Sequence, residues 1–284
     1  MRFSFVAVLL GILLITIVPA AASAAGEEGN VPHLRDRGNG IATSLFGTYV
    51  AKGELLVYPF YEYTQNEDQE YKPSELGFAG DHDYRGRYTE HEALIFLSYG
   101  ASENVAFEFE SALYSSATQR KAKQDTSAVP ARLEESGFGD TQAEIRWRWL
   151  KETPGRPEFW SYFEAVFPFQ KHRVLIGTQD WELIQGFGLT RGFPFGTLTA
   201  RVSASYTAED KTVIFGEYAL EYLKRLSPRW RIVLAVEGEQ DEVAAIAEAQ
   251  LRISSRGLLK LNNGFGITSK APELAPEIGI VFSF

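Results

Sequence analysis

The chain has 284 residues, no cysteine, one methionine, 13% aromatic residues and a formal net charge of -9. Without cysteine there is no disulfide framework, thiolate zinc site or thiol nucleophile. Its lysines and arginines are dispersed singly or in pairs, so the clustered positive charge that a nucleic-acid partner requires is missing, and no metal or cofactor motif stands out.

The N-terminus reads as an export signal. Arg2 precedes an apolar run over residues 5–18, and Ala22-Ser23-Ala24 supplies small residues for cleavage. The run is shorter than the ~20 residues a spanning helix needs, so residues 1–24 are expected to be a cleaved signal peptide. Residues 25–50 begin Gly-rich and polar and end mildly apolar at Leu45, Phe46, Tyr49 and Val50. They fit either a periplasmic leader or a plug segment that enters the interior of the domain formed by residues 51–284.

From residue 51 onward the pattern is period two. In 143–149, Ala143, Ile145, Trp147 and Trp149 alternate with Glu144, Arg146 and Arg148, which sets apolar and charged residues on opposite faces of a strand. The same alternation recurs along the chain and gives roughly twelve strands: 53–64, 89–100, 103–114, 139–150, 158–168, 181–192, 196–207, 211–225, 229–238, 242–253, 257–268 and 275–284. Two stretches, 53–63 and 89–99, are apolar on both faces in places. Most are longer than the ~5–6 residues usual in soluble sheets and match the ~9–11 of tilted membrane-spanning strands. The fold expected is all-β: a closed antiparallel transmembrane β-barrel of about 12 strands over residues 51–284. Long polar outer loops are expected at 65–88 and 115–138, with short turns between other strand pairs. Loop 65–88 gathers Glu67, Asp68, Glu70, Asp81 and Asp83 without EF-hand spacing and reads as a solvated acidic surface. Gly186, Gly188, Gly264 and Gly266 are expected to relieve curvature in the closing sheet.

Trp147, Trp149, Trp160, Trp181 and Trp230 all fall at strand ends, where an interfacial aromatic girdle would place them. The last residues, Ile278, Ile280, Phe282 and Phe284, alternate up to the C-terminus. This ending resembles the assembly signal that barrel-insertion machinery reads, and it forms the strand that must close on the first.

Gly137-Phe138-Gly139-Asp140 ahead of an alternating strand, Lys52-Gly53-Glu54 opening the first one, and the terminal Phe together resemble the phenol-degradation MetA-like outer-membrane proteins over most of residues 45–284. That resemblance implies a barrel transporting small hydrophobic or aromatic compounds, and it brings no catalytic or substrate residues.

With the apolar sets facing lipid, the residues between them line the lumen: Glu108, Glu110, Glu144, Arg146, Arg148, Glu164, Arg201, Glu217, Glu221, Arg229, Arg231, Glu237, Glu248, Arg252, Lys260 and Glu277. An Arg or Lys facing mid-bilayer would cost about 2–4 kcal/mol, so these charges must point inward. They fit a narrow mixed-charge pore or an interior closed by its own ion pairs. The partners expected are outer-membrane lipid and lipopolysaccharide, the insertion machinery and a small-molecule solute. The function expected is passive diffusion through an outer-membrane channel. The rival readings are a lipid-hydrolysing barrel and a non-conducting structural or adhesion barrel. For hydrolysis His91 is the histidine at a strand position, and no Ser-His arrangement or nucleophile-elbow motif accompanies it.

Overall fold

The computed structural model describes residues 32–208, 211–239 and 242–284. The signal peptide expected at 1–24 and the first part of segment 25–50 lie outside the described residues. Two 2-residue strands, β1 (Ile41–Ala42) and β2 (Tyr49–Val50), pair with each other. The wall follows as β3 (Leu55–Tyr71), β4 (Tyr84–Gly100), β5 (Val105–Arg120), the short β6 (Arg132–Gly137), β7 (Thr141–Leu150), β8 (Glu158–Val166), β9 (Glu182–Phe193), β10 (Gly196–Thr207), β11 (Thr212–Arg225), β12 (Trp230–Glu239), β13 (Glu242–Arg252), β14 (Gly257–Gly266) and β15 (Ala275–Ser283). Every expected strand corresponds to one of the twelve long antiparallel ones. Among the described residues no helix is long and apolar enough to cross a membrane.

The sheet closes on itself. β15 pairs with β3 through Ile278↔Tyr61, Gly279↔Phe60 and Phe282↔Val57, and the Phe284 and Leu55 backbones exchange two hydrogen bonds. Closure removes the exposed edge that lipid cannot satisfy. The Lys52-Gly53-Glu54 motif sits at this seam. Gly53 takes a left-handed φ of 77°, its N–H donates to the Gly100 carbonyl at 2.7 Å, and the Glu54 carboxylate accepts from Ser283.

The wall is uneven in height, and here the expectation fails. Residues 65–71, 84–88, 115–120 and 132–137 are strand rather than loop, so β3, β4 and β5 rise above their neighbours and carry β6 on the upper part of β5. These residues are polar because both faces are wet, and polarity without turn residues does not end a strand. The acidic residues are paired across the hairpin: Glu67 with Arg87 and Asp68 with Arg85, each at 3.0 Å. A bulge in β5 re-aims its side chains: the inward set passes from Glu108 to Ser115 and Ala117, leaving Leu113 and Tyr114 exposed. The Gly137-Phe138-Gly139-Asp140 element is the break between β6 and β7. A Cβ at Gly139 would strike Ser115 and Ala112.

The two faces divide as the alternation requires. Phe107, Ile145, Trp147, Phe163, Phe187, Leu234 and Ile278 are exposed outward, while Glu108, Glu144, Arg146, Arg148, Glu221, Glu248 and Lys260 are buried inward. A closed barrel thus inverts the soluble arrangement, with its apolar residues on the outer surface.

Candidate functional site

The interior is occupied. Residues 32–50 lie against the inward faces of strands around the wall. Their apolar part explains the two strands that are apolar on both faces: Ile41 and Val50 form one buried cluster with Leu56, Tyr58, Phe60, Phe96, Ala106 and Val281. Those inward side chains of β3, β4, β5 and β15 are covered by the inner segment, whereas their outward neighbours form the outer surface.

The polar part is held by the sequence-predicted lumen charges. The Arg146 guanidinium donates to the Ala42 carbonyl at 3.2 Å, Arg148 to Gly40 at 3.0 Å, Arg201 to Ser44 at 3.1 Å, and the Lys260 ammonium to Phe46 at 3.2 Å. Each also has a carboxylate. Arg146 pairs with Glu144 and with Glu108 at 3.3 Å, Arg148 with Glu158 at 3.3 Å, Arg201 with Glu237 at 3.3 Å, and Lys260 with Glu248 at 3.2 Å. Glu108 in turn accepts from the Ser44 N–H at 2.9 Å and its hydroxyl at 2.8 Å. The wall charges therefore satisfy backbone groups that the two-residue ladder of β1 and β2 leaves unpaired, as buried polar groups require.

A second cluster, missed in the sequence, anchors the start of this segment. Arg37 pairs with Glu152 at 3.0 Å and Glu158 at 3.3 Å, all three side chains being about 1% exposed. Asp36 accepts from the Arg225 N–H at 2.9 Å. His33 lies beside Gly192, where a Cβ would collide with the His33 backbone. Burial, then the nearby Arg37 and Arg191 charges, hold the His33 imidazole below its ordinary 6.5. A lowered histidine pKa means that the docked form binds fewer protons than the free form. The resulting stabilisation is complete above about pH 6.5 and is lost as pH falls through the depressed value. Protease cleavage after Arg35 and Arg37 in the detergent-solubilised protein is therefore expected to be faster near pH 5 than near pH 7.5. Equal rates would remove His33 from the account.

Three expected positions are corrected. Trp160 is 1% exposed, and it does not face lipid. It shares the inward parity of Glu158, Tyr162 and Glu164 and donates from Nε1 to the Thr190 hydroxyl at 3.1 Å. The Arg146 guanidinium sits 5.0 Å from the ring centroids of both Trp160 and Tyr162, a cation–π arrangement. Arg229 and Arg252 have inward parity but are exposed, Arg229 in the 226–229 turn and Arg252 as the last residue of β13. Trp147, Trp149, Trp181 and Trp230 are exposed on the outer surface, with Trp147 and Trp149 stacked at 5.2 Å. Gly186 and Gly188 also serve another purpose than curvature, since a Cβ on either would run into the Tyr162 or Trp160 ring. Gly188→Ala is expected to cost about 1–3 kcal/mol by overpacking, seen as a lower unfolding temperature; an unchanged temperature would show that Trp160 can move aside.

Above the inner segment the lumen widens into a cavity of about 230 Å³. Ser44 and Leu45 belong to the inner segment, and Glu110, Glu144, Arg146, Glu164, Arg201 and Glu217 line the cavity together with Tyr162. Beside the segment, a second space between Leu45, Phe46, Tyr49, Trp160, Arg201 and Glu221 holds about 10 Å³, roughly one water. Arg231 and Glu277 are half-buried on inward positions of β12 and β15. His91 is exposed on the outer face, its Nδ1 2.6 Å from the Tyr61 hydroxyl.

No protein-family model and no curated protein matches the sequence. Among solved structures, an outer-membrane channel from Pseudomonas putida F1 is 13% identical with a TM-score of 0.56, the alignment covering 82% of this chain and 96% of that one. The KdgM porin (7% identity, 80% and 99% coverage, TM-score 0.48) and the Ralstonia pickettii toluene transporter TbuX (7%, 90% and 98%, 0.45) were also matched. At 13% identity the first likeness concerns architecture alone, and this chain has the fold of an outer-membrane β-barrel channel.

Proposed function

We propose that the chain is an outer-membrane channel through which small solutes diffuse passively, and that residues 32–50 set its narrowest level. One observation carries this reading: a charged cavity of about 230 Å³ and a space of about 10 Å³ share Leu45 of the inner segment and Arg201 of the wall as lining. A wall built for mechanical support alone has no need of an internal cavity lined by Glu110, Glu164, Glu217 and Arg201. Beyond its peptide link to the first wall strand, the inner segment is held by hydrogen bonds, ion pairs and apolar packing, so it can shift without opening the barrel. The exposed apolar belt and Trp147, Trp149, Trp181 and Trp230 would contact lipid and lipopolysaccharide. The alternating end Ile278, Ile280, Phe282 and Phe284 would be read by the insertion machinery after export. Resemblance to the MetA-like proteins favours hydrophobic or aromatic solutes among those that fit.

Liposome swelling tests the proposal. Vesicles carrying the purified protein are expected to swell in small uncharged solutes at rates that fall steeply with solute size. Swelling no faster than protein-free vesicles would overturn it.

A further inference from the structure

Resting on the channel reading, the distribution of lumen charge points to what passes. The cation of the inner segment and the wall cations that touch it are engaged: Arg37, Arg146, Arg148, Arg201 and Lys260 each pair with a carboxylate. Several inward carboxylates are not. On three adjacent strands at the closing seam, Glu277 lies directly opposite Glu62, and Glu62 directly opposite Glu92. Like charges directly opposed across strands repel. Among the described residues their partners are neutral hydroxyls: Tyr58 on Glu277, Thr64 on Glu62 and Ser115 on Glu92.

The imbalance continues inward. Glu110, Glu164 and Glu217 line the large cavity and none makes an ion pair among the described residues. Glu221 then stands at the constriction, 7% exposed, with Oε1 finding no hydrogen-bond partner and no cation paired to it. Among the described residues the inward-parity cations of the wall strands without an ion pair are gathered at the far end: Arg231, level with Gln250 and opposite Arg225, and Arg252 at the end of its strand. Fixed negative charge in a narrow, low-dielectric conduit concentrates cations and excludes anions. The carboxylate row faces the same interior as the cavity, and the cavity and the space at Glu221 share Leu45 and Arg201 as lining.

We infer that the channel selects small monovalent cations, including protonated amines, over anions, with Glu62, Glu92 and Glu277 as the outer selectivity row and Glu221 at the constriction. The passing cation relieves the repulsion built into the seam, which the inner segment's own contacts leave uncompensated.

Reversal potential in a KCl gradient across a planar bilayer is the test, with K⁺ and Cl⁻ as the probes. The native chain is expected to reverse on the cation side with a K⁺ to Cl⁻ permeability ratio on the order of 10. E62Q/E92Q/E277Q keeps side-chain size and removes the repulsion, so it is expected to fold, to conduct, and to lose most of that ratio; E221Q alone is expected to reduce it in part. Conductance without cation preference in the native chain, or an undiminished ratio in the folded triple variant, would overturn the inference while leaving the channel intact. Should the triple variant fail to fold, the native reversal potential and E221Q decide. Absence of any conductance would overturn the channel reading and this inference with it.

Discussion

Arg37→Ala is expected to release the start of the inner segment, because it leaves Glu152 and Glu158 buried without their cation. Both carboxylates are about 1% exposed in the side chain, and removing one member of such a buried cluster costs about 3–5 kcal/mol. Glu158 keeps Arg148 at 3.3 Å and Glu152 keeps Arg191 at 3.6 Å, so the loss falls on docking of the segment rather than on closure of the wall. Protease cleavage in residues 32–50 should accelerate by orders of magnitude while the sheet content seen by circular dichroism stays constant. Adding Glu152→Gln and Glu158→Gln removes the stranded charge and should recover part of the docking. Unchanged cleavage in Arg37→Ala would mean that the cluster does not hold the segment.

Val50→Asp attacks the other anchor. Val50 is 0% exposed and packs in the cluster with Ile41, Leu56, Tyr58, Phe60 and Phe96. A carboxylate there enters an apolar cluster, and a charge buried in an apolar setting costs several kcal/mol. The expected outcome is ejection of residues 41–50 from the wall, with Lys52 and neighbouring backbone becoming protease-sensitive. Val50→Ala, which only leaves a small void, should give a weaker form of the same effect. If Val50→Asp left the segment protected, the apolar contact would not be what seats it.

How far the sequence reveals this arrangement depends on which side of the wall is asked about. Outward residues of the belt are apolar and exposed, so strict alternation in stretches such as 143–149 is enough to place the long strands and the direction of most of their charges. The upper ends of β3, β4 and β5 are not legible, because above the apolar belt both faces are polar and strand resembles loop. Trp160 shows a reading that parity corrects: Glu164, two turns of the pleat away on the same face, reads as inward, and Trp160 shares its parity. Its position at a strand end suggests the interface, but the wall strand begins at Glu158 and that end faces the buried inner segment. The apolar inward residues Tyr58, Phe60 and Phe96 are the trace of an inner partner. Two-sided apolar strands in an otherwise alternating barrel need something apolar inside, and Ile41 and Val50 supply it. The Arg37 cluster leaves no comparable trace, because its members are separated by more than a hundred residues and only closure of the sheet brings them together.

The MetA-like motifs prove to be architectural where the structure describes them. Gly137 to Asp140 separates the raised strand β6 from β7, and Lys52 to Glu54 ties the closing seam. Neither touches the cavity, so they speak to fold and not to solute.

Single-channel recording of the full chain beside one lacking residues 32–50 tests most directly whether this inner segment governs a solute path. Discrete conductance steps are expected in both, several-fold larger in the shortened chain, since the space of about 10 Å³ beside the segment would then open to the width of the lumen. Equal step sizes, or silence from both proteins, would contradict it.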